Sequence, residues 1–95
     1  MKFRNQIPIY IQIADIVCEK ILLKQWNIGD RIPSIRDFAA QLIVNPNTIM
    51  RTYEFLEQKD IIINQRGIGF SIRNNAYEQS LIYKKENFIE NDPPH

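Results

Sequence analysis

The chain has 95 residues, of which 44% are hydrophobic and 24% charged, with a formal net charge of +1. This is the size and composition of one small globular domain, and it excludes a disordered or fibrous chain. With one cysteine, Cys18, no disulfide can form within the chain, and the one histidine, His95, is the last residue.

The first predicted element is a helix that begins at Pro8 and runs to about Lys24. Proline suits this position because the first turn of a helix does not need its missing N–H. Apolar residues at helical spacing form two stripes on roughly opposite sides. The first stripe contains Tyr10, Ile13, Ile16, Val17 and Ile21, and the second Ile11, Cys18 and Leu22. Such a helix usually lies between two partners: here the domain core, and a later helix or a second subunit.

Two short helices joined by a tight turn are predicted next. Ser34 is placed to cap a helix from about Ile35 to Gln41, and Asn45 to cap one that starts at Pro46 and ends at Gln58 or Lys59. The predicted inward-facing residues are Ile35, Phe38, Ala39 and Leu42, then Ile49, Thr52, Tyr53 and Leu56. Asn47, Arg51 and Glu54 fall on the opposite, outer side of the second helix. This is the helix-turn-helix arrangement.

A hairpin and a last helix complete the predicted order. Ile61–Ile63 and Phe70–Ile72 are predicted as strands joined by a turn over Gln65–Gly69. The expected fold is therefore α+β, mainly α: a winged helix-turn-helix over residues 1–73. Residues 74–95 are expected to form a C-terminal helical tail, capped at Asn74-Asn75 and ended by Asp92-Pro93-Pro94.

The polar residues of the second short helix and the hairpin point to nucleic acid. Residues 1–73 carry ten Lys and Arg against seven Asp and Glu, whereas residues 74–95 carry two against four. Asn47 and Arg51 can read adenine and guanine edges, and Thr48 lies near a helix N-terminus that favours phosphate. Arg36 could hold the DNA backbone, and Arg66, beside Gly67 and Gly69, could enter a minor groove. Each has a simpler interpretation: a solvated arginine, a local cap at Asn47, or a hairpin turn.

Four segments resemble the GntR family of bacterial regulators, most closely its small YtrA-like subfamily. They are Pro8-Ile9-Tyr10-Ile11-Gln12-Ile13, Gly29-Asp30-Arg31-Ile32-Pro33-Ser34-Ile35-Arg36, Val44-Asn45-Pro46-Asn47-Thr48-Ile49 and Arg66-Gly67-Ile68-Gly69-Phe70. The resemblance implies DNA contacts at Ser34, Arg36, Asn47, Thr48, Arg51, Gly67 and Gly69. With Arg66 of the hairpin turn, these form the predicted DNA-binding set of eight residues. It also implies a homodimer at a palindromic operator and, for most members, repression. Asp60 stands where the family often has glycine, and we expect it to take a left-handed turn.

The C-terminal tail is expected to contribute to dimerisation or to be the remnant of a truncated C-terminal region. The contacts predicted for it join Tyr77, Leu81 and Phe88 to Ile11, Cys18 and Leu22, within or between subunits. The site of any small-molecule effector is expected to lie outside this chain, since the family carries it in a larger C-terminal domain.

Other classes of function find less support in the sequence. The chain has no Walker loop, no dinucleotide-binding glycine pattern and no cluster of metal ligands, so we predict no enzyme activity, cofactor or metal. Without a signal peptide or a long apolar run, it is expected to be cytoplasmic. The alternative that remains is a winged helix that binds another protein and does not read DNA.

Overall fold

The computed structural model describes residues 6–91, and side chains as far as Glu86. Within that part of the chain, three helices are followed by a two-stranded antiparallel hairpin and a fourth helix. In chain order the elements are α1 (Ile9–Leu22), α2 (Ile35–Leu42), α3 (Pro46–Gln58), β1 (Ile62–Gln65), β2 (Gly69–Ile72) and α4 (Ala76–Asn91). The predicted fold, a mainly helical winged helix-turn-helix with a C-terminal helix, is confirmed.

Helix α1 lies between α3 and α4, as its two apolar stripes predict. Its buried apolar residues are Ile13, Ala14, Val17, Cys18 and Ile21. The helix ends at Leu22, two residues before the predicted end, because Lys24 has a left-handed backbone with φ +64°. A residue in that conformation cannot continue a right-handed helix.

Helices α2 and α3 form the helix-turn-helix, and their inner faces are the predicted ones. Phe38 and Ala39 of α2 are buried, with Ile35 and Leu42 packed against the core. The buried residues of α3 are Ile49, Thr52, Tyr53 and Leu56. The turn between the helices passes through Ile43, which adopts φ 58° and ψ 54° and is 90% exposed.

The hairpin differs in detail from the prediction. Strand β1 begins one residue later than expected and continues to Gln65, because Gln65 pairs with Gly69 in the antiparallel register. The turn is therefore confined to residues 66–68. Ile61 precedes the strand and is buried, and its N–H donates to the Leu56 carbonyl across the end of α3. Asp60 has φ +61°, which confirms the left-handed turn expected there.

Four aromatic rings connect the elements around the core. Trp26, in the segment after α1, lies 5.6 Å from Phe38 between ring centroids. Phe38 stacks on Tyr53 at 6.1 Å, and Tyr53 meets Phe70 edge-on at 4.7 Å. This series, which we call the aromatic chain, runs from the end of α1 through α2 and α3 to β2.

Helix α4 packs on α1 of the same chain, and only part of the face predicted for it is buried there. Among the α4 side chains that the structure describes, those buried are Ala76, Ser80 and Tyr83, spaced four and three apart. Tyr77 is half-buried, whereas Leu81 is 47% exposed. The small side chains of Ala76 and Ser80 allow α4 to approach α1 closely, which places Ser80 beside Cys18. The Phe88 side chain and Asp92-Pro93-Pro94 lie outside the described residues.

Candidate nucleic-acid interface

Helix α3 presents a polar outer face whose first turn is fixed by a side-chain cap. Asn45 accepts a 2.8 Å hydrogen bond from the N–H of Asn47 through its Oδ1, and Pro46 occupies the first turn. The capping residue is thus Asn45, as predicted, and the Asn47 side chain remains exposed on the outer face. Exposed amide groups of this kind can both donate to and accept from a base edge.

Thr48 is less accessible than its neighbour. Its side chain is half-buried, its N–H donates to the Asn45 carbonyl at 2.9 Å, and its own carbonyl accepts from the Thr52 hydroxyl at 3.0 Å. The Thr52 hydroxyl also lies 3.0 Å from the Tyr10 carbonyl, so a single proton serves two acceptors. This shared bond anchors the first turns of α3 to α1 beneath the outer face.

Arg51, one turn further along α3, lies over an aromatic ring. Its Cζ is 4.6 Å from the centroid of Tyr10, which belongs to α1. The two residues line a shallow depression of about 160 Å³ together with Glu54, Phe55 and Gln58. Within residues 6–86 no ion pair joins Arg51 to Glu54, so the arginine rests on a ring and not on a carboxylate.

Helix α2 begins with a cap that retains a donor. The Ser34 hydroxyl accepts a 3.1 Å bond from the Asp37 N–H, and this confirms the predicted cap. Because a hydroxyl oxygen can accept while its proton donates elsewhere, the exposed Ser34 can still donate to a phosphate. Arg36 is exposed in the first turn of the same helix.

The hairpin turn carries Arg66 and Ile68 at its exposed tip. The N–H of Ile68 donates to the Gln65 carbonyl at 2.9 Å and closes the turn. Gly67 and Gly69 have φ of +80° and +106°, conformations that side chains rarely adopt, so both glycines are required by the turn itself.

Arg31 is a basic residue near the hairpin that the sequence did not single out. The segment before α2 pairs with β2: Ile32 donates its N–H to the Phe70 carbonyl at 3.0 Å, and Arg31 is bridged to Ser71. The guanidinium consequently lies beside Gly69, where a β-carbon would be 3.6 Å from Arg31 Nε. In the sequence, Arg31 could have been noticed as an arginine that lies three residues before the predicted cap Ser34.

The structure brings Ser34 and Gly69 into one region through Arg31, whereas Arg51 lies apart from them. An open groove of about 640 Å³ is lined by Arg31, Ile32, Pro33, Ser34, Asp37, Ala40 and Gln41. Ser34, the cap of α2, and Arg31 both line this groove. Arg31 also lies beside Gly69, so the groove extends toward the hairpin. Arg51 lies in the separate depression beside Tyr10.

Phe55, for which the sequence suggests no role, packs behind α3. Its ring meets Tyr10 edge-on at 6.1 Å and Tyr83 at 5.5 Å. It therefore connects α3 to both α1 and α4. Only the tertiary packing reveals this role, since Phe55 lies off the apolar stripe of α3.

Cys18 is a buried titratable group between α1 and α4. Burial raises the pKa of the Cys18 thiol to about 11, against a smaller opposing effect of the adjacent Ser80 side chain. A thiol in this environment stays protonated and unreactive. Among the side chains described, residues 6–86, no three His, Cys, Asp or Glu residues are grouped to hold a metal ion. No helix within residues 6–91 is long and apolar enough to cross a membrane.

Comparison with known proteins gives a family match over the helix-turn-helix and the hairpin. The family of bacterial regulatory proteins named gntR matches residues 9–72, from the start of α1 to the end of β2. The chain belongs to the GntR family. All eight residues of the predicted DNA-binding set lie within the matched range, and α4 lies beyond it.

This GntR chain is similar to two Bacillus subtilis proteins and to one solved structure over most of its length. It is 43% identical over 75 residues to the HTH-type transcriptional regulator YhcF, covering 79% of this chain and 62% of that protein. It is 41% identical over 87 residues to the HTH-type transcriptional repressor YtrA, covering 92% and 66%. A GntR family transcriptional regulator from Listeria monocytogenes has a TM-score of 0.82 at 34% identity, covering 94% of this chain and 80% of that one.

The chain is thus a YtrA-like member of the GntR family. It spans about two thirds of the length of the two Bacillus proteins, 62% and 66% respectively. The shared part contains the helix-turn-helix and the hairpin.

Proposed function

We propose that this GntR chain binds double-stranded DNA as the reading domain of a transcription regulator. The observation that carries the proposal is the outer face of α3. Asn47 and Arg51 are exposed on it, one turn apart, while the opposite face is buried in the core. A rigid helix with donors on its outer side is what reading a major groove requires.

Contacts to the DNA backbone come from the residues around α3. Arg36 and the Ser34 hydroxyl lie at the start of α2, where exposed N–H groups also favour phosphate. Arg31 and Arg66 flank the hairpin from its side and its tip. These contacts position the protein and make binding dependent on salt, whereas Asn47 and Arg51 provide the choice of sequence.

The finer proposal is a homodimer that represses transcription from a palindromic operator in the cytoplasm. Two-fold related reading helices would then meet successive major grooves about 34 Å apart. Leu81 and Ile82, exposed at 47% and 48% on α4, support a contact with a second copy through the outer side of that helix. Repression is proposed because the relative YtrA carries that function in its name.

The proposal is tested by selection from a pool of random duplex DNA, with sequencing of the enriched sites. Wild type, Arg51→Ala and Lys24→Ala are compared. Lys24 is exposed just after α1, over the ring of Tyr77, so its replacement removes the same charge away from the outer face of α3. We expect wild type and Lys24→Ala to enrich the same two-fold symmetric site, and Arg51→Ala to lose preference at one base position in each half-site.

Two other outcomes of the selection would change the proposal. Salt-sensitive binding without an enriched motif would show a domain that holds phosphate but does not specify sequence. Failure of wild type to bind at low salt would overturn the DNA proposal and favour the protein-binding winged helix.

The dimer contact is tested by sedimentation of Leu81→Ser against Ile28→Ser. Both replace an exposed apolar residue, but Ile28 lies in the segment before α2. We expect wild type and Ile28→Ser to have the mass of a dimer and Leu81→Ser to shift toward the monomer. If all three proteins have the same mass, Leu81 of α4 does not contribute to a dimer interface.

A further inference from the structure

The contact between Arg51 and Tyr10 joins the predicted reading helix to a residue of another helix. The Arg51 Cζ lies 4.6 Å from the ring centroid, within the range of about 6 Å over which a cation is attracted to an aromatic face. The arginine side chain is exposed and would otherwise sample several rotamers in solution. The ring therefore selects one direction for it.

The Tyr10 ring is held in place from behind. It packs edge-on against Phe55 at 6.1 Å, and Phe55 packs in the same way against Tyr83 of α4 at 5.5 Å. The backbone of Tyr10 is fixed as well, because its carbonyl accepts from the Thr52 hydroxyl. The platform under Arg51 is thus attached to α3 and α4 as well as to its own helix.

An aromatic support differs chemically from a carboxylate. A carboxylate such as that of Glu54 would occupy the N–H groups of Arg51 in a bidentate pair. A ring covers the guanidinium face and leaves the in-plane N–H donors available for a guanine edge or a phosphate. Holding Arg51 on Tyr10 therefore orders the side chain without using its donors.

We propose that Tyr10 is a positioning residue that orients Arg51 for DNA recognition. This inference rests on the proposed function, in which Arg51 reads the operator. Tyr10 itself does not need to touch DNA. Because ordering a free side chain opposes binding, an arginine that is already ordered loses less freedom when the complex forms.

A double-mutant cycle with Tyr10→Leu, Arg51→Ala and the combined variant tests the proposal on the selected operator. We expect Tyr10→Leu to weaken specific binding by about two- to fivefold, the size of an exposed cation–π contact, and to leave non-specific binding unchanged. In the Arg51→Ala background the same change should have no further effect. Tyr10→Phe, which keeps the ring, should bind like wild type.

A second measurement follows the contact without DNA. The Arg51 Nε–H proton resonance should shift when Tyr10→Leu removes the ring current, and keep its position in Tyr10→Phe. If Tyr10→Leu does not fold, Tyr10→Met takes its place in both experiments, since its flexible side chain fills a similar space. Thermal unfolding of each variant establishes that folded proteins are being compared.

Two results would overturn the proposal. One is an equal loss of affinity from the Tyr10 change with and without Arg51, which would mean that Tyr10 only supports the fold. The other is an Arg51 resonance that does not respond to removal of the ring. A wild type that binds no DNA would instead refute the proposed function, and the resonance would still decide whether Tyr10 orders Arg51.

Discussion

The Tyr53 hydroxyl donates a 2.7 Å hydrogen bond to the carbonyl of Pro33, the residue that precedes the cap of α2. Tyr53 is 1% exposed, and this burial raises the pKa of its phenol well above the usual range. The donor is therefore protonated throughout the physiological pH range. The bond fixes the start of α2 against the middle of α3, and so the position of Arg36 relative to the outer face of α3.

Replacing Tyr53 with Phe should lower the free energy of unfolding by about 1–2 kcal/mol, because the Pro33 carbonyl loses its partner. Urea denaturation measures the change. Tyr77→Phe is the matched control, since Tyr77 is half-buried and its ring, not its hydroxyl, makes the contact with Lys24. Similar losses in both variants would show that the hydroxyl of Tyr53 contributes nothing specific.

Ile43 offers a stabilising substitution in the turn between α2 and α3. It is a β-branched residue at φ 58°, and its side chain is 90% exposed, so little packing offsets the unfavourable backbone. Ile43→Gly should raise the free energy of unfolding by about 0.5–1 kcal/mol, after the entropy lost by glycine is subtracted from the strain relieved. Ile43→Val, which keeps the branched Cβ, should be neutral. A glycine variant less stable than wild type would contradict this account.

The Asn45 cap links stability to the outer face of α3. Asn45→Ala removes the acceptor for the Asn47 N–H and should cost about 1 kcal/mol in thermal or chemical unfolding. Asn45→Asp keeps an oxygen acceptor and serves as the control, with stability close to that of wild type. If alanine and aspartate are equally destabilising, the side-chain hydrogen bond is not the cause.

Cys18 should make stability depend on pH above neutrality. Burial raises the pKa of its thiol from the ordinary 9.0 to about 11 in the folded chain. The contribution of the thiol to the free energy of unfolding is therefore present below pH 9 and is lost as the pH rises toward 11. The difference in unfolding free energy between wild type and Cys18→Ala should therefore shrink over that interval. Comparing the two proteins cancels every effect of pH that they share. A difference that stays constant with pH would mean that the thiol ionises equally well in the folded state.

The same burial predicts slow alkylation of Cys18 in the native protein. Iodoacetamide requires the thiolate, which the folded chain disfavours, so labelling at pH 8 should await unfolding. Mass spectrometry with and without urea compares the two rates. Rapid labelling of the folded protein would show that α4 leaves α1 readily, since Ser80 of α4 lies beside the thiol.

The sequence predicted those features that depend on residues close together in the chain. The caps at Ser34 and Asn45 and the inner face of α3 follow from residues two to four positions apart. By contrast, Arg31 is paired with Ser71, forty residues later, and Arg51 meets Tyr10 of another helix. Such contacts depend on how the elements pack, which local spacing does not encode.

Helix α4 shows the same division between local and tertiary information. The spacing of apolar residues predicts the helix but not all of its buried face, because Ala76 and Ser80 are less apolar than Leu81. Close approach to Cys18 favours small side chains at that contact and leaves the larger residue outside. A ranking by hydrophobicity alone would bury Leu81 and expose Ser80, which is the opposite of what the structure has.

The aromatic chain supplies the protein with a natural optical probe. Trp26 is the one tryptophan of the sequence, and its ring lies at the start of that chain, against Phe38. Its emission therefore reports on the junction of α1 and α2, and light absorbed by Tyr53, the next ring but one, can be transferred to it. Melting of the helix-turn-helix can thus be followed by fluorescence without attaching any label.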